Sequence, residues 1–402
     1  MPPTGKKTVV ITGSDYVTGL GAARALRKLG LQIIGLCADP KQPCARSRFW
    51  SRIVTVDGTP DGYVEKLIEL GSQMPDRSVL FPSQDEVVQA VSDRREELEE
   101  YYDFVLPSKP ALDRMMKKIA FHRWAVERGF PVPQSCEVGS PTELDRVLDT
   151  VEYPVIIKPV LRTRSWCKLC PVDKVLKLNA RAELATIGFD LFEAAPDLLV
   201  QQWIPGDDAD VHFCLVYYDR EGHELAYYTG RKLLQWPPRC GSTAVTVSTV
   251  NDDVHRLTQD VFREAEFHGL GSLEVKQSSE DKRYYITEPT VGRNDLQSFL
   301  AVGGGVNLSA TAYFDAVNSG QAASAGRARR ATWLNEYSLP AAIKQSGRFK
   351  YRHLLRLLGK RMSLAYFSFA DPMPFCHLLK RSIGNKLKKF GGRVFKKILR
   401  RP

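Results

Sequence analysis

Apolar positions recur along the chain with two different periods, and the change from one to the other divides it. Residues 8–36, "TVVITGSDYVTGLGAARALRKLGLQIIGL", give an unbroken apolar run, a glycine-bearing loop, Leu26 and Leu29 at helical spacing, and a second apolar run. Continuous runs joined by amphipathic helices predict parallel strands covered on both faces. "SVLFPSQDEVVQAVSDRREELEEYY" repeats strand, polar turn and helix, and "DFVLPS" predicts one more short strand. A helix is expected from Ser108, a suitable N-cap, to Arg128, stopped by Gly129 and the "FPVP" beyond it. After that, "YPVIIKP", "LLVQQWI", "DVHFCLVYYD" and "ELAYYTGRKL" read as a series dominated by antiparallel strands. The expected class is an α/β domain followed by an α+β domain, with no internal repeat.

Two features of the first part admit two readings each. Glycines 13, 19 and 21 precede a helix and suit either a bound pyrophosphate or a tight turn that packs helix on sheet. Their spacing is not G-x-G-x-x-G, and no acidic residue closes the second strand before Asp39. Asp85 follows a predicted parallel strand, where it serves as a substrate contact at the ligand edge or as a helix cap.

The stretch "GSLEVKQSSEDKRYYITEPTVGRN", residues 271–294, carries the sharper signal. If it forms a hairpin about "SSEDKR", Glu274 stands opposite Glu288, 276 opposite 286 and 278 opposite 284. Like charges directly across a strand pair repel unless something positive lies between them. A hard divalent cation, Mg2+ above all, meets that need with oxygen ligands. Neutralisation by Lys276 and Arg283 on a solvent-facing sheet is the other reading.

Around these glutamates the chain resembles the ATP-grasp superfamily of carboxylate-amine ligases. Five segments match in the family's order: "KKIAFHRWAVERGFPVP", "YPVIIKP", "LLVQQWIPG", "GLGSLEVK" and "ITEPTVGRN", spanning residues 117–294. "TGRKLLQWPP" and "FSFADPMPF" extend the similarity to the subgroup of predicted carboligases resembling D-aspartate ligase. The resemblance implies an α+β ATP-grasp fold in which two sub-domains with antiparallel sheets clasp the nucleotide. It divides the chain into a Rossmann-like leading domain (1–107), a small sub-domain with its linker helix (108–195), a large sub-domain (196–330) and a basic C-terminal extension (331–402). Lys118 and Lys158 then grip ATP phosphates as ammonium point charges. Gln201 and Gln202 hold the adenine edge, the backbone of Trp203 and Ile204 forms the hinge, and Asp210 accepts from the ribose. Glu274 and Glu288 become ligands of Mg2+ or Mn2+. Arg293 meets a developing acyl phosphate or oxyanion. Arg231 and Lys232 hold γ-phosphate or a substrate carboxylate, or are a surface cation pair.

Two departures from the family pattern stand out. Position 290 is Thr where the family has Asn; Thr is a weaker metal ligand, so that either Asn294 or Asp295 compensates or one of two metal ions is held weakly. The glycine-rich flap expected after Lys158 is replaced by "VLRTRSWCKLCPV", in which Arg162, Arg164 and Lys168 are placed to cover phosphates with side chains. The reaction implied is phosphoryl transfer from ATP to a small-molecule carboxylate, giving an acyl phosphate that an amine attacks. Three alternatives remain: a nucleotide-binding protein without turnover, a carboxylase or carbamoyl-type ATP-grasp enzyme, and a nicotinamide-dependent oxidoreductase built on "TGSDYVTGLG".

Charge changes the picture at one end only. Residues 344–402 hold 17 Lys and Arg against a single acidic residue, Asp371, so residues 1–343 sum to −5 within a chain of net +11. A body close to neutral argues against a nucleic-acid enzyme with a basic groove. In the tail, Ile383, Leu387, Phe390, Val394 and Ile398 recur at helical spacing among cations, which predicts a helix on an anionic membrane surface or a solvated basic tail; an acidic partner protein or RNA would use the same charges, and Gly391 with Gly392 weakens any continuous helix. No apolar stretch is long enough to span a bilayer. With 43% hydrophobic and 26% charged residues and no export-like start, a cytoplasmic protein is expected, peripheral to the inner face of a membrane if the tail binds lipid. Its eight cysteines, Cys167 and Cys170 included, are then expected to be thiols.

Overall fold

The computed structural model describes residues 7–160, 163–169, 175–318, 329–347, 349–355, 357 and 361–383. They form two units, one of residues 1–104 with 363–402 and one of residues 105–362.

The first unit is built on five parallel strands, β1 (Val9–Ile11), β2 (Ile33–Cys37), β3 (Arg52–Thr55), β4 (Ser78–Phe81) and β5 (Tyr102–Asp103), in the order β3-β2-β1-β4-β5. β1, β2 and β4 are buried throughout, as their unbroken apolar runs require. The fifth strand begins earlier and ends sooner than "DFVLPS" suggested. Gly13 turns the chain with φ +64°, and a Cβ at Gly19 would lie 2.4 Å from the Gly13 carbonyl oxygen. Close packing of helix Val17–Leu26 on the loop thus accounts for these glycines. Asp85 opens helix Asp85–Asp93 as its first residue, with Gln84 in the cap position.

The C-terminal part corrects the expected boundaries, which joined residues 331–402 into one extension. "ATWL" is a fully buried strand, β15 (Ala331–Leu334), paired with a central strand of the second unit, because its three apolar residues, Trp333 above all, gain most when both faces are covered. Residues 363–383 instead belong to the first unit. There Asp371, 0% exposed, accepts from Arg24 Nε at 3.1 Å, Ser47 Oγ at 2.8 Å and the Arg48 N–H at 3.0 Å. Of the amphipathic pattern read in the tail, Ile383 is described and exposed; Leu387, Phe390, Gly391, Gly392, Val394 and Ile398 lie outside the described residues.

The second unit contains two antiparallel sheets. β6 (Ser135–Val138), β7 (Val155–Pro159), β8 (Leu176–Leu178) and β9 (Leu198–Gln202) form a four-stranded sheet in the order β6-β9-β7-β8. β10 (Val211–Tyr218), β11 (Glu224–Trp236), β12 (Ser242–Ser248), β13 (Gly269–Gln277), β14 (Tyr284–Val291) and β15 form the other, in which they are ordered β14-β13-β10-β11-β12-β15. The linker helix starts at Ser108 as expected, with Ser108 Oγ accepting from the Ala111 N–H, but it is two helices, Lys109–Met116 and Lys118–Glu127. Lys117 is extended between them, at φ −83° and ψ 111°.

The large sheet has two different faces. Alternation puts His212, Cys214, Val216 and Tyr218 on one side of β10 and Val211, Phe213, Leu215 and Tyr217 on the other. The first face is covered by helix Asp252–Glu264, whose Phe262 meets Tyr218 edge-on at 6.1 Å between centroids. On the second, the Tyr217 hydroxyl donates to Asp315 of helix Leu308–Ala316 at 2.7 Å.

Candidate nucleotide and metal site

The hairpin of β13 and β14 pairs Glu274 with Glu288, and Ser272 with Thr290. Beyond that rung the register departs from expectation by one residue: Val275 pairs with Ile286, Lys276 with Tyr285 and Gln277 with Tyr284. Thr287 is the inserted residue, and its hydroxyl donates to the Glu274 carbonyl at 3.1 Å, so the bulge braces the strand beside the carboxylates. Unbroken alternation along β13 keeps Ser272, Glu274 and Lys276 on one face, the same face as Phe213.

The positive charge facing Glu274 is Lys232 of β11, Nζ to Oε2 2.6 Å, with its side chain 5% exposed. Lys232 also donates to Gln235 Oε1 at 3.1 Å. Neither Lys276 nor Arg283, the neutralisers considered from sequence, takes that place. Arg231, grouped with Lys232 in the sequence, is separated from it by alternation. It pairs across β10 with His212 on the helix-covered face, where burial and the Arg231 charge lower the imidazole to about 4. Two consecutive strand residues cannot both face one ligand, so Lys232 reaches the carboxylates and Arg231 does not. Gly230 serves the same face, since a Cβ there would meet the Phe213 ring at 2.4 Å.

Lys158, at the end of β7, donates to Gln201 Oε1 at 2.9 Å, and Gln201 Nε2 donates to Ser135 Oγ at 2.8 Å. Gln201, expected at the adenine edge, is thus hydrogen-bonded to both Lys158 and Ser135. Burial and the charge of Lys118 bring Lys158 down to about 8, with Glu288 acting in the opposite sense. Lys118 and Glu288 thus each lie within electrostatic reach of Lys158. Lys118 Nζ is 3.5 Å from the Val160 carbonyl oxygen.

The hinge segment is more committed than its sequence showed. The Gln202 N–H donates to Gln134 O at 2.8 Å and the Trp203 N–H to Pro154 O at 3.0 Å. The Trp203 donor is thereby spent within the fold. The Trp203 ring is half-buried, with Lys276 Nζ 4.2 Å and Lys177 Nζ 4.7 Å from its centroid. The Asp210 carboxylate accepts from the Asp207 N–H at 2.7 Å, closing a capping box. Asp208, which sequence reasoning passed over, is buried and accepts from Gln235 N at 2.8 Å, Gln235 Nε2 at 3.1 Å and Arg239 N at 2.6 Å. It fixes the segment that presents Gln235 to Lys232.

Of the two substitutes for position 290, Asp295 is the one near it. Asp295 Oδ2 accepts from Ser272 Oγ at 2.8 Å and Thr290 Oγ1 at 3.4 Å, whereas Asn294 is buried with its Oδ1 accepting from Ser309 at 3.1 Å. Arg293 is half-buried and donates to the Asn294 carbonyl at 3.1 Å. In place of a glycine-rich flap, residues 164–169 form a short helix with Trp166 fully buried in the core of the small sheet. Lys168 of that helix is exposed; Arg162, Cys170 and the Arg164 side chain lie outside the described residues.

These residues fit a hard divalent cation: two carboxylates face each other on neighbouring strands, and an ammonium already neutralises one of them. They also place two lysines, Lys118 and Lys158, to balance a polyphosphate.

No family model matches the sequence. The D-aspartate ligase of Enterococcus faecium (strain Aus0004) is 23% identical over 317 residues, covering 75% of this chain and 74% of that protein. An N5-carboxyaminoimidazole ribonucleotide synthetase in complex with ADP superposes with a TM-score of 0.62 at 14% identity, over 78% of this chain and 77% of that one. The biotin carboxylase domain of Hydrogenobacter thermophilus 2-oxoglutarate carboxylase, solved with MgADP and bicarbonate, gives 0.61 at 15% identity, over 78% and 70%.

Proposed function

We propose, for a chain with the ATP-grasp fold, an ATP- and Mg2+-dependent ligase that activates a carboxylate as its acyl phosphate for attack by an amine. The observation that carries the reading is the pair Glu274 and Glu288 on one rung of the hairpin, with Lys158 within electrostatic reach of Glu288. Glu274, Glu288 and, through the Thr290 position, Asp295 would hold the metal. When bound, it neutralises charge on the transferring phosphoryl group. Lys118 and Lys158 bind the phosphates, Gln201 orients Lys158, and Ile204 supplies the hinge donor to the base. Lys232 keeps Glu274 aimed, and Arg293 meets the charge that develops on the acyl group. Positioning and charge neutralisation suffice for this chemistry, so a dedicated nucleophile is not required.

The similarity to a D-aspartate ligase favours an amino acid with a free carboxylate as the activated substrate. The likeness to carboxylating enzymes supports a second reading, in which bicarbonate is the carboxylate. ADP release by the full chain with ATP and Mg2+ decides between them. Release that depends on an amino acid together with an amine acceptor is expected. Release that depends on bicarbonate would replace the amine-ligase reading, and tight ATP binding without turnover under any pairing would reduce the chain to a nucleotide-binding protein.

The basic tail adds a localisation to this reading. Among the described residues no helix is long and apolar enough to cross a membrane. Phe369, Leu379 and Ile383 are exposed beside Lys380 and Arg381, a composition that suits the surface of an anionic bilayer on the side where an envelope or lipid-linked acceptor would be met. Removal of residues 384–402 is expected to lower sedimentation with phosphatidylserine vesicles; undiminished binding would refute the tail as anchor.

A further inference from the structure

Lys276 is the anomalous charge of this site. Its residue is 6% exposed, and among the described residues it makes neither a hydrogen bond nor an ion pair. Lys177, the other cation on the Trp203 ring, is only half-buried, and several neighbouring charges are engaged. Lys232 has Glu274 and Gln235, and Lys158 has Gln201. Asp208 is spent on Gln235 and Arg239, and Asp210 on the Asp207 N–H. What remains for Lys276 is the face of Trp203, 4.2 Å from Nζ to the ring centroid. A ring quadrupole returns only part of what an ammonium loses on leaving water. A buried cation that lacks a carboxylate is built for an anion that arrives from outside.

Its position identifies the anion. Lys276 shares a face with Glu274 two residues away, a separation of about 6.6 Å along a strand. It lies on the hinge side of Glu274: it pairs with Val211, the residue after Asp210, and the turn beyond it is tied to the hinge by the Ser279 N–H donating to Pro205 O at 3.0 Å. A nucleotide with its base at Ile204 and its metal-bound phosphates at Glu274 and Glu288 passes Lys276 with its first phosphate. We propose that Lys276 is a third phosphate-binding cation, contacting the α-phosphate of the nucleotide, with its stem braced on the Trp203 ring. The proposal rests on the ATP-binding reading above.

The test is displacement of a fluorescent ATP analogue from the full chain by ATP, ADP, AMP and adenosine, in the wild type, Lys276→Met and Lys158→Met. Methionine keeps the stem against Trp203 and removes only the charge. Loss of one charge-assisted contact is expected to weaken ATP, ADP and AMP alike, by about tenfold or more, while adenosine is unaffected. Lys158→Met is expected to weaken ATP and ADP and to spare AMP. AMP binding equally well to wild type and Lys276→Met would overturn the assignment, as would an equal loss for adenosine, which would make Lys276 a contact of the base or a structural prop. Should the methionine variant fail to fold, Lys276→Gln is read by the same criteria. A wild-type chain that binds none of the phosphorylated ligands would remove the ATP reading itself, an outcome distinct from normal binding with an indifferent Lys276.

Discussion

Two buried ion pairs, one in each unit, show how differently the same chemistry can be used. Asp371 and Arg24 are saturated: the carboxylate is fully buried, accepts three hydrogen bonds from Arg24, Ser47 and Arg48, and Arg24 also donates to the carbonyls of Ala365 and Tyr366. Glu274 and Lys232 are not. Glu274 is 27% exposed, contacts Lys232 at 2.6 Å and Thr287 Oγ1 at 3.4 Å, and faces a second carboxylate across the hairpin. A pair whose partners have no capacity left is a clamp. One whose partly exposed carboxylate stands across a strand pair from a second carboxylate is a site suited to a cation.

The largest effect that would test this contrast is on turnover. Glu288→Gln removes a charge from the site but not a buried bond from the fold, since Glu288 is exposed. Acceptor-dependent ADP release is expected to fall by about a thousandfold, equivalent to about 4 kcal/mol, with the melting temperature unchanged. Activity near wild type would refute the metal assignment.

Next comes the clamp. Asp371→Asn leaves Arg24 buried without its counter-charge, which typically costs about 3 kcal/mol or more. The first unit should therefore unfold at clearly lower urea, while turnover per folded molecule is retained. An unchanged urea midpoint would mean that residues 363–383 are not held by this pair.

Much of this was legible in the sequence because period and pairing are local. The unbroken runs of β1, β2 and β4, the N-cap Ser108, and the Glu274–Glu288 rung follow from residue order alone. What was hidden is long-range. Nothing in "TGRKLL" says which of two adjacent cations faces the glutamates; only the strand's orientation in the sheet decides for Lys232 over Arg231. The one-residue slip at Thr287 is set by a hydroxyl bonding across the hairpin. The spent Trp203 N–H depends on Pro154, 49 positions earlier in the chain. The division of residues 331–402 between two units depends on a buried partner, Arg24, that composition cannot reveal.

The smallest effect is the most diagnostic, because it comes from a cation held without a carboxylate. Lys158 sits at about 8, below its ordinary 10.5, owing to burial and the neighbouring Lys118. Its charged form is thus disfavoured by the fold, and its contribution to stability improves as pH rises between 8 and 10.5. For nucleotide binding the sign reverses. A polyphosphate favours the ammonium, so above pH 8 binding must first restore a proton. ATP affinity should then fall with rising pH, approaching about tenfold per unit, and binding should take up close to one proton. Titration calorimetry at pH 9 in buffers of different ionisation enthalpy reads that uptake directly. Lys158→Gln should bind more weakly at pH 7 and lose the pH dependence. If the uptake persists in Lys158→Gln, the titrating group lies elsewhere, and the contrast between a saturated clamp and an open, proton-responsive site loses its clearest support.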